Sequence, residues 1–185
     1  NPLSVILAQA QLLLRRLDQS GTDGPLRSGT ESILNSARRM NTMIQDLVDA
    51  ARSESGQLVL ERQAVDLRSF LRQPQEQLDP SLDPSRIQIK IPEDLPPVWA
   101  DPTRLERILT NLLSNALKYS TPGTPVTLSA TRRDDQVIVS VTDQGPGIPP
   151  EDLPRVFERY FRGRTAQARE GLGLGLYITR RLVEA

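Results

Sequence analysis

Asn111-Leu-Leu-Ser-Asn115-Ala-Leu-Lys118-Tyr119, Asp143-Gln-Gly145-Pro-Gly147, Phe157-Glu-Arg-Tyr-Phe161-Arg162 and Gly171-Leu-Gly173-Leu-Gly175-Leu follow one another along the second half of the chain, and their reading decides the fold. The first segment falls in a predicted helix over residues 101–119, capped by Asp101 and started by Pro102. Asn111, Asn115 and Lys118 are three and four residues apart and share one face, while Ile108, Leu109, Leu112, Leu113 and Leu117 form the stripe turned to a core. Two amides and an ammonium on one face can hold a metal–phosphate group, because an amide oxygen suits Mg²⁺ and Lys gives phosphate a point charge. Taken alone, such a face is more often merely solvated.

Asp143 stands at the end of a predicted strand, where a carboxylate can accept a hydrogen bond from an exocyclic amine such as that of adenine. Gly145 and Gly147 permit unusual backbone angles and close approach, although an ordinary strand-to-loop turn has the same composition. The segment from Gly171 to Gly175 opens the final predicted helix, whose free N–H groups favour phosphate. It is not a Walker loop, since no Gly-Lys-Ser/Thr follows, and not a dinucleotide fingerprint, since it follows a loop rather than a strand. Arg159, Arg162, Arg164 and Arg169 lie between the glycine motifs, in a stretch that reads as a mobile loop with a short helix near Leu153 to Phe161. These cations could close over a triphosphate or simply face solvent.

Working outward, Val126, Leu128 and Ala130 alternate with polar residues, as do Val137, Val139 and Val141, and residues 132–136 supply the turn of a hairpin. Ile87, Ile89 and Ile91 give another half-buried strand, residues 96–100 an extended piece, and residues 58–60 a short strand. Asp66 caps a predicted helix running to about Gln77, and residues 79–85 form a loop. The first 54 residues differ in kind. Leu3, Ile6, Leu7, Ala10, Leu13, Leu14 and Leu17 have helical spacing, residues 19–25 are turn chemistry, and the spacing resumes at Ile33, Ala37, Met40, Ile44, Leu47 and Ala51. Two such helices form an antiparallel hairpin whose apolar stripes are too wide for one partner, so a second copy completing a four-helix bundle is the natural solution.

The 185 residues carry 23 basic and 23 acidic side chains, which gives no pointer to nucleic acid. There is no cysteine and no histidine, so neither a disulfide framework nor a transition-metal site is expected. No apolar stretch approaches the roughly 18 residues that span a bilayer. The sequence starts in mid-pattern and ends inside a helix-like run, and it reads as a piece of a longer protein.

In order and separation, the four segments resemble the N, G1, F and G2 boxes of sensor histidine kinases, over about residues 58–185. Residues 1–54 resemble the dimerisation and phosphoacceptor domain of the same family, whose signature His-Glu/Asp-x-x-Asn/Thr-Pro-Leu ends as this chain begins, with Asn1-Pro2-Leu3. The implied architecture is α+β: a helical hairpin over residues 1–54 that dimerises into a four-helix bundle, then an α/β two-layer sandwich of the GHKL type over residues 55–185. The C-terminal strands of that sandwich would follow Ala185, and the phosphoacceptor histidine would lie four residues ahead of Asn1.

The resemblance implies ATP and Mg²⁺ as ligands. Asn115 would bind the metal, Asn111 would order the site, Lys118 would reach the phosphates, and Tyr119 would line the pocket. Asp143 would recognise adenine, with Gly145, Gly147 and Ile148 shaping the loop over the base. Arg162 would contact the terminal phosphate. Gly171, Leu172, Gly173, Leu174 and Gly175 would hold phosphates and hinge the lid. Asn1 would orient the water that dephosphorylates a response regulator. The implied activity is transfer of the ATP γ-phosphate to a histidine and then to a regulator aspartate. This would take place in the cytoplasmic part of a membrane-associated parent, with no membrane contact in these residues. Related hydrolytic ATPases carry Glu at the position of Asn111 as general base, a role an amide cannot fill. A hydrolase of the same fold and a non-catalytic dimerisation or regulator-binding scaffold are the alternatives.

Overall fold

The computed structural model describes residues 2–20, 24–54, 59–71, 82–163 and 172–185. The chain divides into two compact units, Asn1–Ala51 and Arg52–Ala185.

In the first unit, α1 (Pro2–Ser20) and α2 (Pro25–Glu54) are the two predicted helices. Arg27 ties their adjoining ends by pairing with Asp18 and, at 3.0 Å, with Glu31. Leu3 and Ala10 of α1 and Thr30, Leu34 and Ala37 of α2 are buried. The predicted stripes extend well beyond this seam. Ile6 and Leu13 of α1 and Ile33, Met40, Ile44 and Leu47 of α2 are exposed, and so are Val5 and Leu12. The predicted stripe of α2 does not include Leu34 and Thr30, which join Ala37 on the inward face, while Ile33 and Met40 lie on the part that one chain leaves open. One helix covers only a narrow strip of its neighbour, so the rest of a wide apolar face stays in solvent within a single chain. Val5, Ile6, Leu12, Leu13 and Ile33 line an open groove of about 400 Å³.

The second unit is built on the strands β1 (Gln63–Val65), β2 (Ile87–Lys90), β3 (Val98–Ala100), β4 (Val126–Arg133) and β5 (Gln136–Thr142). β2, β4 and β5 form one sheet, with β2 parallel and β5 antiparallel to β4, while β1 and β3 pair separately and antiparallel. On one face of β4, Val126, Leu128 and Ala130 are almost fully buried. They join Leu109, Leu113, Ala116 and Leu117 of α4 (Pro102–Tyr119) in one core. Each such leucine contributes about 1.5–3 kcal/mol by burial. The exposed ion pairs of this unit, Arg68–Glu93 and Arg180–Glu184 among them, contribute about 0–1 kcal/mol each, so packing decides the fold.

The structure departs from expectation at element ends. The strand expected at 58–60 is absent at residues 59 and 60, where Val59 is 79% exposed. Pairing begins at Gln63 instead, because Val65 reaches the core and β3 supplies its partner. Asp66 does cap, accepting from the Arg68 N–H at 3.0 Å, but α3 (Leu67–Phe70) is a single turn, and residues 72–77 lie outside those described. The β4–β5 turn is only Asp134-Asp135, since Asp134 takes the left-handed conformation (φ 54°) and lets the ladder run to Arg133 and Gln136. Between Leu153 and Phe161 the structure has one 3₁₀ turn, Leu153–Arg155, and Tyr160 at φ 63° breaks any helix. The last helix, α5 (Gly175–Glu184), starts at the end of its glycine run.

Two exposed caps make stability depend on acid. Asp66 is bonded by the Ser69 hydroxyl and the Arg68 N–H, and Asp83 by the hydroxyl and N–H of Ser85, and both carboxyls are held below the ordinary aspartate value. A lowered folded-state pKa gives stability that is present above the unfolded value of about 3.9 and is lost as pH falls through the folded one. Below about pH 4 the urea midpoint of the wild type should therefore fall more steeply than that of the Asp66→Asn/Asp83→Asn variant. Parallel curves would show that these caps do not couple to folding.

Candidate functional site

The site begins at α4. Asp101 accepts hydrogen bonds from the N–H groups of Thr103 (3.0 Å) and Arg104 (3.2 Å), and its other oxygen accepts from the Glu61 N–H (3.0 Å). With the start of the helix fixed and its leucine stripe buried, Asn111, Asn115 and Lys118 come to lie along a half-buried edge. The Lys118 ammonium lies 5.4 Å from the ring centre of Tyr119.

Three ties bring the four motifs together. The first joins the end of α4 to the loop after β5. Gly145 packs against the Tyr119 carbonyl so closely that a Cβ there would sit 2.9 Å from its oxygen and 2.8 Å from Asp143 Oδ1. The Thr121 hydroxyl (3.0 Å) and N–H (3.3 Å) both donate to the Gln144 carbonyl. Asp143 accepts from the Gly145 N–H at 2.7 Å, which closes the turn and leaves its carboxylate at an exposed position. Gly147 has φ 74° with open space where a Cβ would stand, and Ile148 is exposed. The carboxylate at the strand end can accept from an amine, and Ile148 offers an apolar surface beside it in sequence.

The second tie joins α4 to α5. Asn111 donates from Nδ2 to the Thr179 hydroxyl at 2.7 Å, and its side chain packs directly on Gly175. Thr179 is buried, and the sequence reading missed it. The available signal was a hydroxyl one helical turn after Gly175, between Ile178 and Leu182 on the buried face.

The third tie joins the aromatic motif to the glycine run. The Tyr160 N–H donates to the Gly173 carbonyl at 3.0 Å. A Cβ on Gly173 (φ 68°) would meet the Phe161 carbonyl oxygen at 2.7 Å and Arg162 Cγ at 3.1 Å. Arg162 is half-buried in this arrangement. Arg155 and Arg159 stack on Phe161 (4.5 Å) and Tyr160 (4.8 Å), so Arg159 covers a ring next to the position expected to reach phosphate.

The glycine run divides by role. Leu172 is exposed, whereas Leu174 is buried with Ile178 and Leu182, so the Leu174 side chain belongs to the core and only its backbone faces the loop. Leu174 precedes α5 and gives no side-chain cap of its own. Asn1, Arg164, Arg169 and Gly171 lie outside the described residues. The arrangement offers an ammonium, a guanidinium and a helix N-terminus, which suit a phosphate chain, and amide oxygens, which suit a hard cation on it.

Comparison with known proteins agrees in both units. Residues 100–185 match the family described as histidine kinase-, DNA gyrase B-, and HSP90-like ATPase. Residues 1–56 match the His Kinase A (phospho-acceptor) domain. The adaptive-response sensory kinase SasA of Crocosphaera subtropica is 37% identical over 152 residues, covering 80% of this chain and 40% of that protein. Full-length ShkA, crystallised in complex with AMPPNP, is similar at a TM-score of 0.71 and 32% identity, over 99% of this chain and 38% of its own. The mycobacterial sensor histidine kinase MprB is 34% identical with a TM-score of 0.56, over 66% of this chain and 80% of its own. The chain thus spans less than half the length of SasA and ShkA.

The second tie has a testable signature. Gly175→Ala places a methyl group against the Asn111 side chain and should destabilise the chain by about 1–3 kcal/mol in urea unfolding. In an Asn111→Ala background the overlap is gone, and the same change should be neutral or should stabilise by up to about 1 kcal/mol through helix propensity. Additive effects would mean that the two residues do not constrain each other.

Proposed function

Because the chain belongs to the sensor histidine kinase family, we propose that it is the catalytic core of such a kinase. In this role it binds ATP and passes the γ-phosphate to a histidine, and from there to an aspartate on a response regulator receiver domain. The observation that carries this reading is the joining of all four motifs through Tyr119–Gly145, Asn111–Thr179 and Tyr160–Gly173. The ties also hold the fold together, so the support for a kinase over a scaffold is that the side chains they gather are those suited to a nucleotide.

In the proposed reaction, the bond from the γ-phosphorus to the β–γ bridging oxygen breaks, a phosphorus–nitrogen bond to an imidazole forms, and ADP leaves. The 185 residues contain no histidine, so the acceptor is not among them, and autophosphorylation of this chain alone is not expected. Phosphoryl transfer asks the protein mainly for positioning and charge balance. Lys118 and Arg162 supply the cations, the start of α5 supplies N–H donors, and Asp143 orients the base. Among the described residues no cluster of His, Cys, Asp or Glu could hold a metal on its own. A hard cation would therefore arrive on the nucleotide phosphates, with Asn115 adding a protein oxygen, and it would neutralise charge there. Asn111 has no basic lone pair to activate water, which favours transfer over hydrolysis.

The apolar faces left open on α1 and α2 support a homodimer through the helical unit. Among the described residues, no helix is long and apolar enough to cross a membrane. We place this core in the cytoplasm, where ATP and response regulators are found.

Two measurements test the proposal. Calorimetric titration with ADP or a non-hydrolysable ATP analogue, with Mg²⁺, should give saturable binding, and Asp143→Ala should weaken it by at least about ten-fold, the value of a lost charged hydrogen bond. A folded chain that does not bind, or an Asp143→Ala variant that binds normally, would sink the nucleotide reading. Light scattering should give the mass of a dimer for the wild type and of a monomer for Leu13→Asp, which puts a charge into the open groove. If both have the same mass, this face is not the dimer seam.

A further inference from the structure

Arg86 belongs to none of the four motifs, yet it touches the end of the helix that carries the first of them and the loop that follows it. It ends the 3₁₀ turn Pro84–Arg86 just before β2. Its half-buried guanidinium donates from Nε to the Thr124 carbonyl (2.8 Å), from Nη1 to the Leu117 carbonyl (3.3 Å), and from Nη2 to the Thr121 carbonyl (3.0 Å) and the Ser120 hydroxyl. Leu117 is in the last turn of α4, where carbonyls lack helical partners and the helix dipole is negative, so a cation is favoured there on both counts. The contacts radiate from one planar fork. A lysine ammonium keeps the charge but cannot span these acceptors.

The chain of contacts continues. Thr121, held by its carbonyl, presents its N–H and hydroxyl to the Gln144 carbonyl. Gln144 stands between Asp143 and Gly145, whose N–H bonds the Asp143 carboxylate. We propose that Arg86 is a positioning residue for base recognition: through the Thr121 strap it holds the Asp143 loop at a fixed height against the end of α4. This rests on the reading of the site as a nucleotide pocket with Asp143 reading the exocyclic amine. Arg86 touches no nucleotide in this scheme. It sets how well the pocket tells an amine from a carbonyl at that position of the base.

The test compares ADP with inosine diphosphate, which has a carbonyl in place of the adenine amine. Both are titrated into the 185-residue chain below the onset of its thermal transition, for wild type, Arg86→Met, Arg86→Lys and Thr121→Val. Arg86→Met should weaken ADP about ten-fold and inosine diphosphate hardly at all, so that the preference falls about ten-fold. Arg86→Lys should restore little of it. Thr121→Val, at an exposed site, should lower the preference about three-fold. A purely structural role would lower the active fraction for both nucleotides together and leave the preference unchanged. Arg86→Met or Thr121→Val at the wild-type preference would therefore overturn the proposal, and Thr121→Val alone decides it if Arg86→Met does not fold. A wild-type chain that binds no ADP defeats the nucleotide reading and this inference together. Normal wild-type binding with unaltered variants defeats only the role of Arg86.

Discussion

Leu109, Leu113, Ala116 and Leu117 of α4 are closed against Val126, Leu128 and Ala130 of β4, and a helix held along one buried stripe cannot rotate. At 100° per residue, that restraint fixes the azimuth of every other side chain on α4. Asn111, Asn115 and Lys118 are neither sunk in the core nor fully in water. They sit on the edge where a ligand can be reached while the helix supplies rigidity. The caps at Asp101 and Arg86 hold the two ends of the same rod, so its axial position is set as well as its rotation.

The glycines around this helix act mainly as spacers. Gly145 lets the loop after β5 lie against the Tyr119 carbonyl, Gly173 lets the run before α5 lie against Phe161, and Gly175 lets α5 begin against Asn111. In each place a methyl group would meet backbone or a restrained amide, so the cost of substitution is displacement of one motif from another. Gly147 is different: nothing stands near it, and only its left-handed φ of 74° favours glycine. The motifs therefore combine three glycines that permit contact between chain segments with two that take a left-handed φ, Gly173 (68°) serving both ends and Gly147 only the second.

Much of this was legible beforehand. The stripe of α4, the alternation of β4 and β5, and the caps at Asp66 and Asp101 are local patterns, and local patterns survive folding. What was hidden depends on partners distant in sequence. Whether residues 58–60 or 63–65 form a strand is settled by β3, some thirty-five residues on. That Ile33 stays in solvent while Leu34 turns inward depends on which strip of α2 the neighbouring helix covers. Thr179 and Arg86 carry no motif, and their importance lies in what they touch: an amide 68 residues away and a helix end 31 residues away. Single-sequence periodicity has no access to such pairs.

The Asn111–Thr179 bond gives the proposed chemistry a further physical basis. An amide has one donating and one accepting end, and here the donating end is committed to a buried hydroxyl on α5. The oxygen that remains is a neutral acceptor. It can orient a hydrogen-bond donor but cannot take its proton at neutral pH. A carboxylate at this position would be a base beside the phosphate chain and would favour attack by water. It would lack an N–H to give to Thr179, but it could accept from the Thr179 hydroxyl and would lie at the positive end of α5. Packing at this position therefore tolerates either side chain, and the requirement to withhold the phosphoryl group from water is what favours the amide. On the proposed reading, the residue that docks α5 on α4 is also the one that keeps the site a transferase.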